Sequence, residues 1–414
     1  MNCSGFLINH EKVKELIGKY GHDTFLKKIS KFIFYYYENK QFFPYKKCFV
    51  KNIEKIFLKL REHKIEDIKI SYDNPKNQIH FITDNKEMIL TKSKEKDYEI
   101  DILSDYFQEH VRIECHKIST YDNKQQPSIL DYWKNAELHP TWIPKILDYF
   151  DRIDSYTLRE TLYKVHGNKE CNQFKPTVAR FVYQNLKATR ILDFSAGWGD
   201  RLIAAISLED EIEFYHGFDP NEKLFSGYEE IIDRFAKEKH KFQMTCTPFQ
   251  TYSFSKYDDV RYDLVFTSPP YFDLEIYSNN ESQSVQTYPH FEDWIVFFLF
   301  ASIRKAWNQL GENGHLAIHI TNIGNSKPYA DLIHLFIQHQ FYSNALFVKT
   351  ILTSGGKNVI PIWIWKKVSE KNISFDYHHQ LKNKSRMLFR SHYPNIWKKI
   401  ISLRKNNNNN NNAS

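Results

Sequence analysis

The run Tyr262-Asp263-Leu264-Val265-Phe266-Thr267 reads as a buried strand, and Ser268-Pro269-Pro270-Tyr271 ends it abruptly. Each proline lacks a backbone donor and has a fixed φ, so two in succession cannot continue a central strand. The chain must turn out at the strand's carboxyl end, where open α/β sheets bind ligands. The turn puts a hydroxyl, a rigid pair of carbonyls and an aromatic ring at one pocket mouth. Such a group suits a flat base with an exocyclic amine. The bland reading of the tetrapeptide alone is an ordinary Ser-Pro-Pro turn.

A second pattern lies upstream. Arg190-Ile191-Leu192-Asp193-Phe194-Ser195-Ala196-Gly197-Trp198-Gly199-Asp200-Arg201-Leu202 reads as a buried strand, a glycine turn and a helix start. Gly197 and Gly199 allow positive φ and close backbone approach to a ligand. The dinucleotide fingerprint is excluded because Leu202 stands at its third glycine position. A phosphate-binding loop is excluded because no Gly-Lys-Ser/Thr follows. Next, Phe214-Tyr215-His216-Gly217-Phe218-Asp219-Pro220 reads as a strand ending in an acid, 22 positions after Gly197. In doubly wound folds an acid about 20 residues on accepts hydrogen bonds from ribose hydroxyls. The alternative role for a lone strand-end Asp is a helix cap.

Together these motifs resemble those of S-adenosylmethionine-dependent amino-methyltransferases, which methylate adenine N6 or cytosine N4. The glycine loop resembles the family's Asp-x-Phe-x-Gly-x-Gly, and Ser268 to Tyr271 resembles its Ser/Asp/Asn-Pro-Pro-Tyr. Asn172-Gln173-Phe174-Lys175-Pro176 is similar to the family's Gln-Lys-Pro segment, with Phe174 interrupting it. The resemblance implies that Asp193, Ser195, Ala196, Gly197, Gly199 and Asp219 hold S-adenosylmethionine, with Lys175 and Pro176 beside its methionine end. It implies that Ser268, Pro269, Pro270 and Tyr271 hold and activate the target amine. Ser at the motif's first position is commoner among cytosine N4 enzymes. Two departures stand out: Trp198 is large for the loop, and Asp273 and Glu275 make the segment after Tyr271 acidic. These acids either line the target pocket or cap a following helix.

The expected fold class is α/β: a Rossmann-like, doubly wound methyltransferase sheet with a closing antiparallel hairpin, plus an N-terminal α+β region. Strands are expected at 190–194, 214–218, 262–267, 315–320, 345–350 and 361–366, and a helix from Phe291 to Leu310 stopped by Gly311-Glu312-Asn313-Gly314. Residues 1–150 form the N-terminal region, with helices from about Leu7 to Leu60 and short strands at 68–72, 77–82 and 88–90. Residues 151–368 form the methyltransferase domain, 369–405 a basic aromatic segment, and 406–414 a disordered Asn-rich tail.

The 414-residue chain carries a net charge of +7, concentrated near its end. From Lys366 to Lys405 there are eleven Lys and Arg against Glu370 and Asp376. Phe375, Tyr377, Phe389, Tyr393 and Trp397 are interleaved with them. Cations that neutralise phosphates and rings that stack on bases suit nucleic acid, DNA before RNA. The alternative is a solvated basic face whose rings pack on the core.

The five cysteines form no C-x-x-C pair, which argues against a disulfide framework or structural zinc site. Among 18 histidines, His378-His379 and His315 with His319 are among the few close spacings, and no metal site is expected. No 18-residue apolar stretch or signal-peptide pattern occurs, so an intracellular protein without membrane partners is expected. Three functions fit the pattern: a nucleic-acid amino-methyltransferase, a methyltransferase of a protein side-chain amide, and an inactive nucleic-acid-binding module of the same fold.

Overall fold

The computed structural model describes all residues except 1–6, 39–42, 65–66, 70–86, 93–97, 120–121, 123, 168–169, 255–260, 325, 356–357, 370–374 and 412–414. The strand expected at 77–82 lies outside the described residues. The chain divides into two compact units, each assembled from separate stretches.

One unit comprises residues 1–53, 104–173 and 273–279. Its helices His10–Tyr20, His22–Glu38, Ile129–Lys134 and Ser155–His166 enclose Phe25, Ile29, Ile33, Trp133, Trp142 and Leu158. Two of these helices start in reciprocal caps, Ser128 with Asp131 and Asp154 with Thr157, which satisfy otherwise orphaned backbone donors. Buried charges are paired: Arg112 reaches Asp105 at 2.7 Å and Glu170 at 2.9 Å, and Arg159 reaches Glu109 at 2.6 Å. Glu275–Ile276 pairs antiparallel with His116–Lys117. Glu275 accepts the Asn172 N–H at 2.9 Å and the Tyr277 hydroxyl at 2.5 Å. No helix follows Glu275 directly, so strand pairing takes the place of a helix-capping role at that residue.

The other unit comprises residues 54–103, 174–272 and 280–414. Its described residues form a nine-stranded sheet. We number its strands β1 (Asp67–Lys69), β2 (Glu87–Lys92), β3 (Arg190–Asp193), β4 (Phe214–Asp219), β5 (Phe242–Cys246), β6 (Tyr262–Thr267), β7 (Leu310–His319), β8 (Ala345–Gly355) and β9 (Asn358–Lys367). The spatial order is β1-β2-β8-β9-β7-β6-β3-β4-β5. Strands β5, β4, β3, β6 and β7 are mutually parallel. Strand β9 runs antiparallel to both β7 and β8, which is the expected closing hairpin. The α/β class follows directly.

Three departures from the sequence reading concern boundaries. The strand β5 was not anticipated. Residues 54–103, expected in the N-terminal region, belong with the sheet, where β2 pairs with β8. The helix from Phe291 contains a π-helical stretch, Trp294–Phe300, before Ala301–Gln309, and β7 begins at Leu310 rather than after the glycines. Asn313 takes a left-handed φ of 66° and the β6–β7 register shifts between Leu310 and His315, so the glycine segment is absorbed as an irregularity within the strand.

Two helices end the unit, α1 (Phe375–His392) and α2 (Pro394–Asn411). Phe389, Ile396, Trp397 and Ile400 are buried in the sheet's core cluster, and Tyr393 packs on it. This corrects the base-stacking role for Phe389 and Trp397: burial of a large ring outweighs presenting it to solvent. The side chains of Phe375 and Tyr377 lie outside the description. Of the tail expected at 406–414, the described residues continue α2 to Asn411. Adding residues to a packed helix fixes one residue per new hydrogen bond, whereas starting one is costly. Cys48 is disulfide-bonded, a pairing that spacing alone did not signal, while Cys115, Cys171 and Cys246 are free. No described helix is long and apolar enough to cross a membrane.

Candidate active site

Strand β3 is the switch point of the sheet. The chain proceeds outward from it through β4 and β5, then returns to its other side with β6 and β7. Such a switch opens a crevice at the carboxyl ends of the strands. The glycine loop leaves β3, Asp219 ends β4, and Ser268 to Tyr271 follow β6. The sheet thus brings both expected half-sites to one edge.

The loop is held by its neighbours. Gly197 has φ 59° and Gly199 φ 88°, conformations that suit glycine. A Cβ on Gly197 would meet nothing nearer than 4.0 Å, so its surface stays open to a ligand. At Gly199 a Cβ would approach Ile231 Cδ1 to 3.1 Å, so this glycine serves helix packing. Asp219 accepts the Gly197 N–H at 3.0 Å and the Asn221 N–H at 2.9 Å, one on each oxygen. Each oxygen keeps a second lone pair, which fits hydroxyl donors of a ribose. Burial pushes the Asp219 carboxyl up to about 7, against the lowering effect of the Asn221 and Gly197 N–H groups. Ser195 and Ala196 lie in the same loop, where the Ala196 N–H bonds to the Phe218 carbonyl at 2.9 Å. Trp198 fits because its indole is buried.

Asp193 is the last residue of β3. Its carboxylate is fully buried and accepts from Arg201 Nε at 2.7 Å and the Tyr215 hydroxyl at 2.8 Å. Arg201 also donates to the Ser195 carbonyl. Asp193 therefore braces the loop through Arg201. Lys175 lies 3.5 Å from Asp101, and Pro176 is buried as the first residue of the helix Pro176–Leu186. A proline there loses no needed donor.

In the half-site expected to hold the target, the Ser268 Oγ lies 3.0 Å from His319 Nδ1. Pro269 is buried and Pro270 partly so. The Tyr271 hydroxyl accepts the Thr321 N–H at 3.0 Å, and its ring meets Tyr329 edge-on at 5.4 Å. Phe272 follows with φ 40°, a strained value for an aromatic residue. It is held by edge contacts to Phe291 at 5.6 Å and Trp294 at 5.8 Å.

The sequence reading missed His319 and Arg201 as site residues. Burial, with Arg201 adding to it, pushes the His319 imidazole down to about 3, so it is neutral at ordinary pH. Phe174 lies between the two, with its ring 4.9 Å from His319 edge-on and 5.3 Å from the Arg201 guanidinium carbon. The residue that interrupts Gln-Lys thus packs against both His319 and Arg201. The signal for His319 was its position: it ends a strand parallel to β6 and aligned with Ser268. Among the described residues no cluster of three His, Cys, Asp or Glu is arranged to hold a metal.

No protein-family model matches the sequence, and no curated protein matches it. Several solved structures are similar to part of the chain. An rRNA methylase from Streptococcus thermophilus aligns with 48% of this chain and 100% of its own, at 11% identity and TM-score 0.33. TrmN from Thermus thermophilus aligns with 52% of this chain and 67% of its own, at 10% identity and TM-score 0.33. Magnesium protoporphyrin IX methyltransferase from Synechocystis PCC 6803, solved with S-adenosylmethionine bound, aligns with 46% of this chain and 76% of its own, at 12% identity and TM-score 0.32.

Proposed function

We propose that this chain is an S-adenosylmethionine-dependent methyltransferase that modifies an exocyclic amino nitrogen of a nucleic-acid base. The base is cytosine N4 or adenine N6, with cytosine favoured by Ser268 and DNA favoured over RNA. The observation that carries the reading is the convergence of the Gly197–Asp219 pair and Ser268 to Tyr271 at neighbouring carboxyl ends of β3, β4 and β6.

Asp219 and the loop at Ser195 to Gly197 hold the ribose and its flanks, with Lys175 and Pro176 on the methionine side. When bound, the cofactor supplies an electrophilic methyl group. An exocyclic amine is a poor nucleophile because its lone pair is delocalised into the ring. Ser268 Oγ and the Pro269 carbonyl accept hydrogen bonds from its two protons. That draws the nitrogen toward tetrahedral geometry and frees its lone pair. Pro270 fixes the turn, and Tyr271 stacks on the base. Holding the reacting atoms in line supplies much of the acceleration. In a duplex the base is first flipped out, at roughly a few kcal/mol. No strong general base is required, since the proton leaves after transfer.

The exposed Lys384, Arg386 and Arg390 of α1 and Lys398 of α2 suit a polyanionic substrate. The test is incubation with labelled S-adenosylmethionine and either DNA or total RNA, followed by mass spectrometry of the released nucleosides. N4-methylcytosine or N6-methyladenine in DNA is the expected product. Label in RNA alone would replace DNA as substrate, and label in neither would sink the proposal.

A further inference from the structure

Ser268 and His319 meet because of strand register. In the parallel pair β6–β7, Thr267 is opposite Ile318, so the next residues of both strands face each other where the sheet ends. The Ser268 hydroxyl then has two acceptors in reach, His319 Nδ1 at 3.0 Å and the His319 carbonyl at 3.4 Å. The imidazole is itself held. Phe174 meets it edge-on at 4.9 Å with planes 89° apart, and Phe174 also lies near the guanidinium of Arg201. Arg201 is locked to Asp193 by two hydrogen bonds of 2.7 and 3.2 Å.

We propose that His319 is a positioning residue for methyl transfer: its Nδ1 accepts the Ser268 hydroxyl proton, so that Ser268 offers only lone pairs to the target amine. This rests on the methyltransferase reading above. A serine hydroxyl has one proton and two lone pairs. If that proton were free to turn toward the amine, it would compete for the very lone pair that must attack the methyl. A ring nitrogen at 3.0 Å accepts a hydrogen bond from that hydroxyl and fixes the direction of its proton. The role requires a neutral ring protonated at Nε2, and the burial described above keeps the ring neutral. No proton is transferred and no bond is made or broken at His319. An imidazolium would instead donate to Ser268 and leave its proton to face the amine or the backbone.

The first test is nitrogen NMR of the full chain labelled at histidine, with Ser268→Ala to assign and perturb the signal. An unprotonated, hydrogen-bonded Nδ1 whose shift moves in Ser268→Ala is expected, and a protonated Nδ1 overturns the assignment. The second is a kinetic cycle. His319→Leu should lower kcat roughly tenfold while cofactor affinity by calorimetry changes less than about twofold. His319→Asn, whose Oδ1 stands near the place of Nδ1, should recover most of the loss. In the Ser268→Ala background His319→Leu should add nothing, because the hydroxyl it orients is gone. Additive losses, or no recovery in a folded Asn variant, overturn the proposal. Wild-type transfer with a protonated Nδ1 removes the role of His319 alone. No wild-type transfer, with Nδ1 bonded as expected, removes the methyltransferase reading instead, and the role with it.

Discussion

Asp219 Oδ2 accepts the N–H of Gly197 at 3.0 Å, so the acid of one strand and the glycine loop of its neighbour form a single unit. Whatever protonates the acid also loosens the loop. The carboxyl sits near 7 because burial disfavours its charge. The charged form is the better acceptor for ribose hydroxyls, and it predominates above that pH. Cofactor affinity is therefore expected to rise with pH through about 7 and level off above it. Below 7 the loss should approach roughly tenfold per pH unit, the limit for one required deprotonation. Calorimetry from pH 5.5 to 8.5 measures this, and Asp219→Asn should flatten the profile. Asp219→Ala should weaken binding by about 1–3 kcal/mol.

Tyr271 is assigned two jobs that separate by mutation. Its hydroxyl takes the Thr321 N–H, while its ring is the proposed platform for the base. Tyr271→Phe keeps the ring and leaves that N–H without its acceptor, costing about 1–3 kcal/mol of stability. Tyr271→Ala also removes stacking, so KM for the nucleic acid should rise by a factor equivalent to about 1–3 kcal/mol. If Tyr271→Ala left KM unchanged, the ring would have no contact with the base.

Arg201 carries the loop's support. It is buried, with Asp193, the Ser195 carbonyl and the Phe174 ring as its partners. Arg201→Met strands the Asp193 carboxylate in the interior and should cost about 3–5 kcal/mol of stability. Arg201→Lys should fail to restore it, because an ammonium cannot reproduce the two-nitrogen fork. Denaturant melts decide the point. A melt of Arg201→Met that matches the wild type would mean that the pair is not a brace.

The two half-sites were legible because proline and glycine act through the backbone, and their effects are local. Pro269 and Pro270 end β6 where the sequence says they must, and Gly197 takes the positive φ it permits. Arg201 and His319 were not legible as site residues because their roles depend on register and on side chains distant in sequence. Nor could local pattern assign β2 to the main sheet, since its pairing with β8 spans more than half the chain. The tail was legible in part. Phe389, Tyr393 and Trp397 recur every four residues, with Ile396 and Ile400 on the same side, which is the spacing of a buried face. The excess of lysine and arginine drew the reading toward nucleic acid instead. Lys384, Arg386, Arg390 and Lys398 do lie on the exposed side, so charge and apolar pattern each described one face.

His334 gives a prediction about acid stability. It is buried against Phe347 at 5.2 Å, Trp363 at 5.1 Å and Trp365 at 4.8 Å, and among the described residues its Nε2 has no hydrogen-bond partner. Burial pushes this imidazole down to about 3. The unfolded chain binds its proton near 6.5 and the folded chain does not, so stability is lost as pH falls between those values. The slope approaches about 1.4 kcal/mol per pH unit from this residue. His334→Phe should remove that share, raising the melting temperature more at pH 5 than at pH 8. Equal changes at both pH values would show that packing, not protonation, sets the effect.

The exposed cations of α1 and α2 make the last prediction. Phe389 and Trp397 are spent on the core, so the face can offer a nucleic acid charge but not those rings. Lys384, Arg386, Arg390 and Lys398 are exposed, and Met387 between them is 70% exposed. Contacts of this kind release counterions, and affinity for duplex DNA then falls with salt by a slope of roughly 0.9 per phosphate neutralised. Replacing Lys384, Arg386 and Arg390 together by glutamate should weaken DNA binding at low salt and flatten its salt dependence. Cofactor affinity should not change, because none of the three is assigned to the crevice. Phe389→Leu should do the opposite, lowering the melting temperature while leaving the salt slope of DNA binding as it was. Fluorescence anisotropy across a salt series, paired with thermal melts, separates the two faces. If the triple variant bound DNA with the wild-type slope, the substrate would have to be held elsewhere on the chain.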